Sequence, residues 1–151
     1  MHDTIRPATP ADVAAIRRCA AAAYAVYVPR IGEKPPPMVA DFAELVGRGH
    51  VEVAVDAAGR LLGYVVALPE ADHVHLANVP VDPAGQGNGV GRALIAHVEA
   101  AARGAGFATV RLYTHAKMTE NQALYPGLGY RETHRANADG VDRVFYEKAL
   151  T

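Results

Sequence analysis

A chain of 151 residues, half of them apolar and with a formal net charge of −1, can bury a core of its own and lacks the basic excess of a nucleic-acid binder. Its single cysteine, Cys19, has no partner for an internal disulfide, and no charged region followed by an apolar signal segment opens the chain. No apolar run is long enough to span a bilayer, so the expectation is one cytoplasmic domain over residues 1–151, with neither nucleic acid nor membrane as partner.

The first strand falls at residues 4–7. Thr9, Pro10, Ala11 and Asp12 then supply a capping residue, a proline at the first helical position and an acid three residues after the cap. The helix they open has Val13, Ile16, Ala20, Ala23 and Tyr27 on one stripe, runs to about Val28 and is ended by Pro29 and Gly32. Residues 30–37, with three consecutive prolines, read as a semi-rigid surface loop. Residues 38–47 form a second helix with Val39, Phe42, Leu45 and Val46 inward. Val51, Val53 and Val55 alternate with Glu52 and Asp56, and a turn at 56–59 leads into a strand at 61–68, giving an antiparallel hairpin. Another strand covers residues 73–81.

The stretch that follows, Asp82-Pro83-Ala84-Gly85-Gln86-Gly87-Asn88-Gly89-Val90-Gly91-Arg92, joins that strand directly to a helix at 92–103. The first turn of a helix has amides without intrahelical partners and the positive end of the dipole, and glycines remove the side chains that would hold a large anion away. The loop therefore reads as a pyrophosphate cradle. Two other phosphate signatures do not fit. Arg92-Ala93 stands where a P-loop needs Lys-Ser/Thr, and no register gives G-x-G-x-x-G with an acid after the next strand, which ends in Thr114-His115. Val90, Leu94, Val98 and Ala101 make the buried stripe of the helix, with Arg92, Glu99 and Arg103 pointing elsewhere. Gly104 and Gly106 end it. A strand at 109–114 is expected to run parallel to the strand before the loop, because a helix connects them. Thr119-Glu120-Asn121-Gln122 opens a short helix as a capping box, Pro126 and Gly127 weaken it, and Gly129 ends it. Residues 130–135 and 141–149, separated by Asn137 to Gly140, make a closing hairpin.

Gln86-Gly87-Asn88-Gly89-Val90-Gly91 resembles the Gln/Arg-x-x-Gly-x-Gly/Ala signature of the GNAT superfamily of N-acetyltransferases, and Val81-Asp82-Pro83 is similar to the Val-x-Pro that precedes it. Asn121 to Tyr125, continuing through Leu128-Gly129-Tyr130, resembles the second cofactor motif of the same superfamily. The resemblance covers nearly the whole chain. It implies an α/β (α+β) fold: a mixed, mostly antiparallel sheet of six to seven strands flanked by four helices, with splayed central strands.

The resemblance further implies transfer of an acetyl group from acetyl-CoA to an amine by direct attack in a ternary complex, with no metal. Gln86, Gly87, Asn88, Gly89, Val90, Gly91 and Arg92 would hold the pyrophosphate, Val79 and Val81 the pantetheine and thioester, and Asn121 and Tyr125 the second part of the cofactor site. A break in the strand before the loop would admit the pantetheine arm, and Pro80, which cannot donate a ladder hydrogen bond, is consistent with one. Tyr125 corresponds to the tyrosine that protonates the leaving thiolate, or else is an amphipathic core tyrosine. His75 falls where some relatives carry a catalytic glutamate. A histidine there can serve as base, or His73 and His75 are solvent-facing polar residues of one strand face. Ala77, at another position where a glutamate can stand, cannot act. Zinc on His73 and His75 lacks a suitably spaced third ligand.

Tyr24 and Tyr27 close the first helix and Glu33 lies in the loop 30–37 that follows it, where by resemblance this fold forms its acceptor pocket, and Tyr113 and His115 end the strand beside the pantetheine. Together they suggest an aromatic, polar pocket for a small-molecule amine or peptide acceptor. Cys19 reads as a small core residue. The alternative is a CoA-binding sensor or assembly module without transfer activity, which the alanine at 77 favours and Tyr125 with Asn121 disfavours. Acyl groups other than acetyl, such as propionyl or succinyl, and a homodimer both remain compatible with these residues.

Overall fold

The computed structural model describes residues 3–138 and 140–150, with the side chains at positions 84 and 121 outside the described set. It is a mixed α/β fold with seven mostly antiparallel strands: β1 (Thr4–Pro7), β2 (Val51–Val55), β3 (Leu61–Pro69), β4 (Val74–Asn78), β5 (Thr109–His115), β6 (Arg131–Ala138) and β7 (Val141–Ala149). The helices are α1 (Val13–Tyr24), α2 (Tyr27–Ile31), α3 (Phe42–Gly47), α4 (Val90–Gly104) and α5 (Thr119–Gly127). Two compact units share these elements, one made of Met1–Ala67 with Asn78–Val98, the other of Leu68–Ala77 with Glu99–Thr151.

In the first unit β1 pairs antiparallel with β2, and β2 with β3, through a bulge between Ala54 and Val55. Val51, Val53 and Val55 are buried, as the valine alternation expects, but Ala54 and the consecutive run Leu62 to Val66 are buried too, so these strands are covered on both faces and not half-buried; Phe42 of α3 meets Tyr64 edge-on at 5.8 Å. The start of α1 follows the capping reading. The Thr9 N–H donates to Asp12 Oδ2 at 2.7 Å within a 3₁₀ turn at Pro10–Asp12. Arg6 of β1 donates to both oxygens of the same carboxylate, at 2.8 and 3.1 Å, and these hydrogen bonds hold the Asp12 pKa down at about 2.

Several expectations for this unit need correction. Pro29 does not end a helix but sits in the first turn of α2, where its missing N–H would have had no partner, and Gly32, at φ +93°, is the actual stop. Residues 30–37 are not simply a surface loop: Arg30 and Ile31 finish α2, and the Pro35 side chain is fully buried. Residues 38–47 are not one helix. A 3₁₀ turn at Pro36–Val39 is followed by extended backbone at Ala40, and α3 begins only after Asp41, whose carboxylate accepts from the Glu44 N–H at 3.1 Å. Val39, expected inward, is 61% exposed, whereas Phe42 and Val46 are buried. The strand expected at 73–81 stops at Asn78.

In the second unit β4 and β5 run parallel, and β5, β7 and β6 follow in antiparallel order. The β4–β5 ladder has just two registered pairs, Val74 with Val110 and His75 with Arg111, although β5 continues to His115 and pairs with β7 along its whole length. That early parting of two parallel strands is the splay that the resemblance implies. On β5 and β7, Val110, Leu112, Thr114, Val144 and Tyr146 are buried while Arg111, Tyr113, Phe145 and Glu147 face the other way. Position 139, within the turn expected at 137–140, lies outside the described residues.

The stripe of α4 differs from its expectation at the C-terminal end. Leu94, Ile95, Val98 and Ala102 are buried, Ala101 is exposed, and Glu99, expected to point away, is only 6% exposed. The start of α5 also differs: Met118 is the N-cap, Thr119 is already helical and its hydroxyl lies 3.5 Å from Glu120, so the capping box does not form.

Candidate active site

The glycine-rich segment is positioned by β3. Tyr64 donates its N–H to the Pro80 carbonyl at 3.1 Å, Asp82 donates to the Leu62 carbonyl at 2.8 Å, and Gly63 forms an isolated antiparallel bridge with Val81. This contact requires Gly63 to lack a side chain, because an added Cβ would stand 2.8 Å from the Pro80 oxygen. Sequence reading missed that role, although a glycine inside a strand is the usual sign of close backbone approach.

A 3₁₀ turn at Pro83–Gly85 then carries the chain to Gly87 at φ +85° and Gly89 at φ +76°, a conformation that strains other residues. Nothing lies within 4 Å of where a Cβ would sit on either glycine, so their lack of side chains leaves the backbone bare. Gln86, Gly87, Asn88, Gly89 and Arg92 are exposed, Val79, Val81 and Gly91 half-buried, and Val90 buried. The Gln86 amide donates to the Val81 carbonyl at 3.3 Å, bracing the loop across its base. The first helical bond here runs from the Ala93 N–H to the Gly89 carbonyl, so the preceding amides of α4 stand at its positive end without intrahelical partners. At the start of α4 the donors without intrahelical partners are thus backbone amides, the group type that favours an anion at a helix N-terminus.

In the second unit, Tyr125 of α5 is 6% exposed and lies between two other tyrosines: edge-on to Tyr130 at 5.7 Å and tilted against Tyr146 at 5.9 Å. Burial pushes its phenol pKa well above the usual value, with Tyr146 adding to the effect. Asn121 is on the same helix, but its side chain lies outside the described residues. Leu128 and Tyr130 donate their N–H groups to the Tyr125 carbonyl at 3.0 and 3.1 Å, closing α5 around Gly129 at φ +92°.

His75 of β4 is half-buried and stacks on Tyr113 of β5 at 5.3 Å and 26°. Burial lowers its pKa below the ordinary histidine value; nearby His73 acts in the same direction, and Glu70 opposes it. His73 is held differently, with Nδ1 2.7 Å from the Asp72 carboxylate. Tyr113 is 39% exposed, and the Arg143 guanidinium lies over its ring at 4.6 Å. The second unit therefore brings His75 and Tyr113 together. His115 ends β5, half-buried, with Nδ1 accepting from the Lys117 N–H at 3.1 Å.

Of the remaining predicted site residues, Tyr24 and Tyr27 are buried in the first unit with rings 6.3 Å apart, and Glu33 is exposed just beyond α2. Cys19 is buried, and burial raises its thiol pKa to about 12, which fits a packing role and not a nucleophile. Among the described residues no group of three or more His, Cys, Asp or Glu side chains is placed to hold a metal ion. No helix among them is long and apolar enough to cross a membrane.

The model of the acetyltransferase (GNAT) family matches residues 17–130, and the chain belongs to that family. It is 31% identical over 91 residues to the ribosomal protein bS18 alanine N-acetyltransferase of Escherichia coli K12, a match covering 60% of this chain and 62% of that relative's length. The solved ribosomal-protein-S18-alanine N-acetyltransferase of Escherichia coli is similar over 99% of this chain and 95% of its own, with TM-score 0.79 and 25% identity. PaiA N-acetyltransferase from Thermoplasma acidophilum, solved in complex with coenzyme A, shares the fold with TM-score 0.81 at 17% identity, over 99% of both chains.

Proposed function

We propose that this protein transfers an acetyl group from acetyl-CoA to a primary amine of a peptide or small molecule by direct attack. The observation that carries the reading is the loop of residues 86–92, where exposed Gly87 and Gly89 leave backbone uncovered by side chains just ahead of the N-terminus of α4. Gln86 to Arg92 would hold the pyrophosphate, and the backbone of Val79 and Val81 the pantetheine and thioester. Asn121 and Tyr125 would complete the cofactor contacts. When bound, acetyl-CoA supplies an activated acyl group on a thiol leaving group.

The residues of the chain then have to manage protons. The attacking amine must be neutral, and His75, kept unprotonated at neutral pH by its lowered pKa, accepts the proton directly or through water. Tyr125, whose phenol stays protonated far into the alkaline range, donates to the departing thiolate. Tyr113 and His115 of the second unit, and Tyr24, Tyr27 and Glu33 of the first, are the candidates for recognising the acceptor, with Glu33 as an acid for a cationic amine. A peptide or protein α-amine is the first acceptor class to test, because the 31% identical relative acts on a ribosomal protein alanine. The same reading sets the reaction in the cytoplasm, with which a single buried cysteine outside any disulfide is compatible.

Release of free thiol from acetyl-CoA, measured across a panel of amines that includes a peptide with N-terminal alanine, tests the reading. Amine-dependent release is expected. A rise in melting temperature with acetyl-CoA but no release would instead support the binding module that Ala77 favours, and no thermal shift at millimolar acetyl-CoA would overturn both.

A further inference from the structure

We propose that Glu99 is a positioning residue for Tyr125, acting through Tyr130; the inference rests on the reading of Tyr125 as the proton donor. Glu99 is a buried acid on α4 that neither the loop nor the proton-transfer scheme uses. Its Oε2 accepts from the Tyr130 hydroxyl at 2.7 Å and its Oε1 from Lys148 Nζ at 2.9 Å. Lys148 Nζ also donates to the Leu128 carbonyl at 2.9 Å. Leu128 and Tyr130 flank Gly129, where an added Cβ would stand 3.3 Å from Lys148 Cε, so the glycine makes room for the lysine stem.

The same two residues hold Tyr125. Their N–H groups donate to its carbonyl, and the Tyr130 ring meets the Tyr125 ring edge-on at 5.7 Å. Tyr125 is thus gripped at backbone and ring by residues whose own polar atoms end on one carboxylate or on its lysine partner. A buried ion pair is a poor source of net stability compared with apolar packing, since desolvation offsets much of the attraction. Its directional bonds do fix the orientation of what they hold, and proton donation tolerates misplacement of only about an ångström before rates fall by orders of magnitude.

The test is a double-mutant cycle on free-thiol release with the most active amine of the panel, well below each variant's melting temperature. Tyr125→Phe is expected to lower kcat by about 100-fold or more. Tyr130→Phe, which keeps the ring and removes the hydroxyl, and Glu99→Gln are each expected to lower kcat by about 10-fold with KM for the amine unchanged. In the Tyr125→Phe background neither should lower it further. Should Glu99→Gln fail to fold, Tyr130→Phe carries the test alone. Wild-type kcat in Tyr130→Phe, or the same fractional loss in both backgrounds, overturns the inference and leaves the proton-donor reading standing. Wild-type kcat in Tyr125→Phe overturns that reading, and the inference falls with it.

Discussion

The loop of residues 85–92 and the tyrosine cluster around Tyr125 are built from opposite materials. The loop works through backbone: Gly87 and Gly89 adopt positive φ, and Gln86, Asn88 and Arg92 beside them are exposed. The cluster works through side chains: Tyr125, Tyr130 and Tyr146 are buried against one another, and Glu99 and Lys148 meet the Tyr130 hydroxyl and the adjoining turn. The difference teaches where each region is vulnerable. A backbone site fails when a Cβ is added, and a packed site fails when atoms are removed.

Substitutions that exchange these vulnerabilities would break the comparison. The largest expected effect is on stability: Tyr125→Ala removes a buried ring from between two others and should cost about 3–5 kcal/mol in denaturant unfolding. A cost below about 1 kcal/mol would mean the cluster is not packed as described. In the loop, Gly89→Ala adds one methyl group at φ +76° and should cost about 1–2 kcal/mol while weakening acetyl-CoA binding in calorimetry. Asn88→Ala, removing an exposed side chain from the neighbouring residue, should stay within about 0.5 kcal/mol. Equal losses from the two would show that side chains and not backbone shape the loop.

The smallest effect concerns pH. His75 titrates below the ordinary histidine value, so the neutral base is present above that point and is lost as pH falls through it. The acid limb of kcat/KM should therefore lie below pH ~6.5 and disappear in His75→Gln. An identical limb in the variant would remove His75 from the proton path and leave Tyr125 unaffected.

Much of the loop was legible in the residues because its determinants are local. A strand, a proline, four glycines and a helix stripe within a short span specify where the chain must turn, although not that Gly87 and Gly89 are the glycines that take positive φ. Gly63 was not legible as a partner of that loop, because the Pro80 carbonyl that excludes a Cβ there comes from a segment distant in sequence. Glu99 was misassigned for a related reason. Its charge suggested solvent, although its spacing four after Ile95 and three before Ala102 already set it on the buried face. Pro35 was read from its stiffness as surface loop, yet a proline segment has little backbone to satisfy and can be buried at small cost.

Taken alone, the sequence carried the family in the motifs at 81–91 and 121–130 that resemble it, while most of the alternation of strands and helices, the glycine turn ahead of α4 and the turn at Gly129 follow from propensity, periodicity and permitted φ within a few residues. Tertiary structure decided that β4 parts from β5 after His75, that His75 stacks on Tyr113, and that Glu99 and Lys148 meet at Tyr130. Each of these depends on a partner tens of residues away. Whether a ladder continues, and which side chains meet, is settled by what packs opposite, which no local pattern encodes.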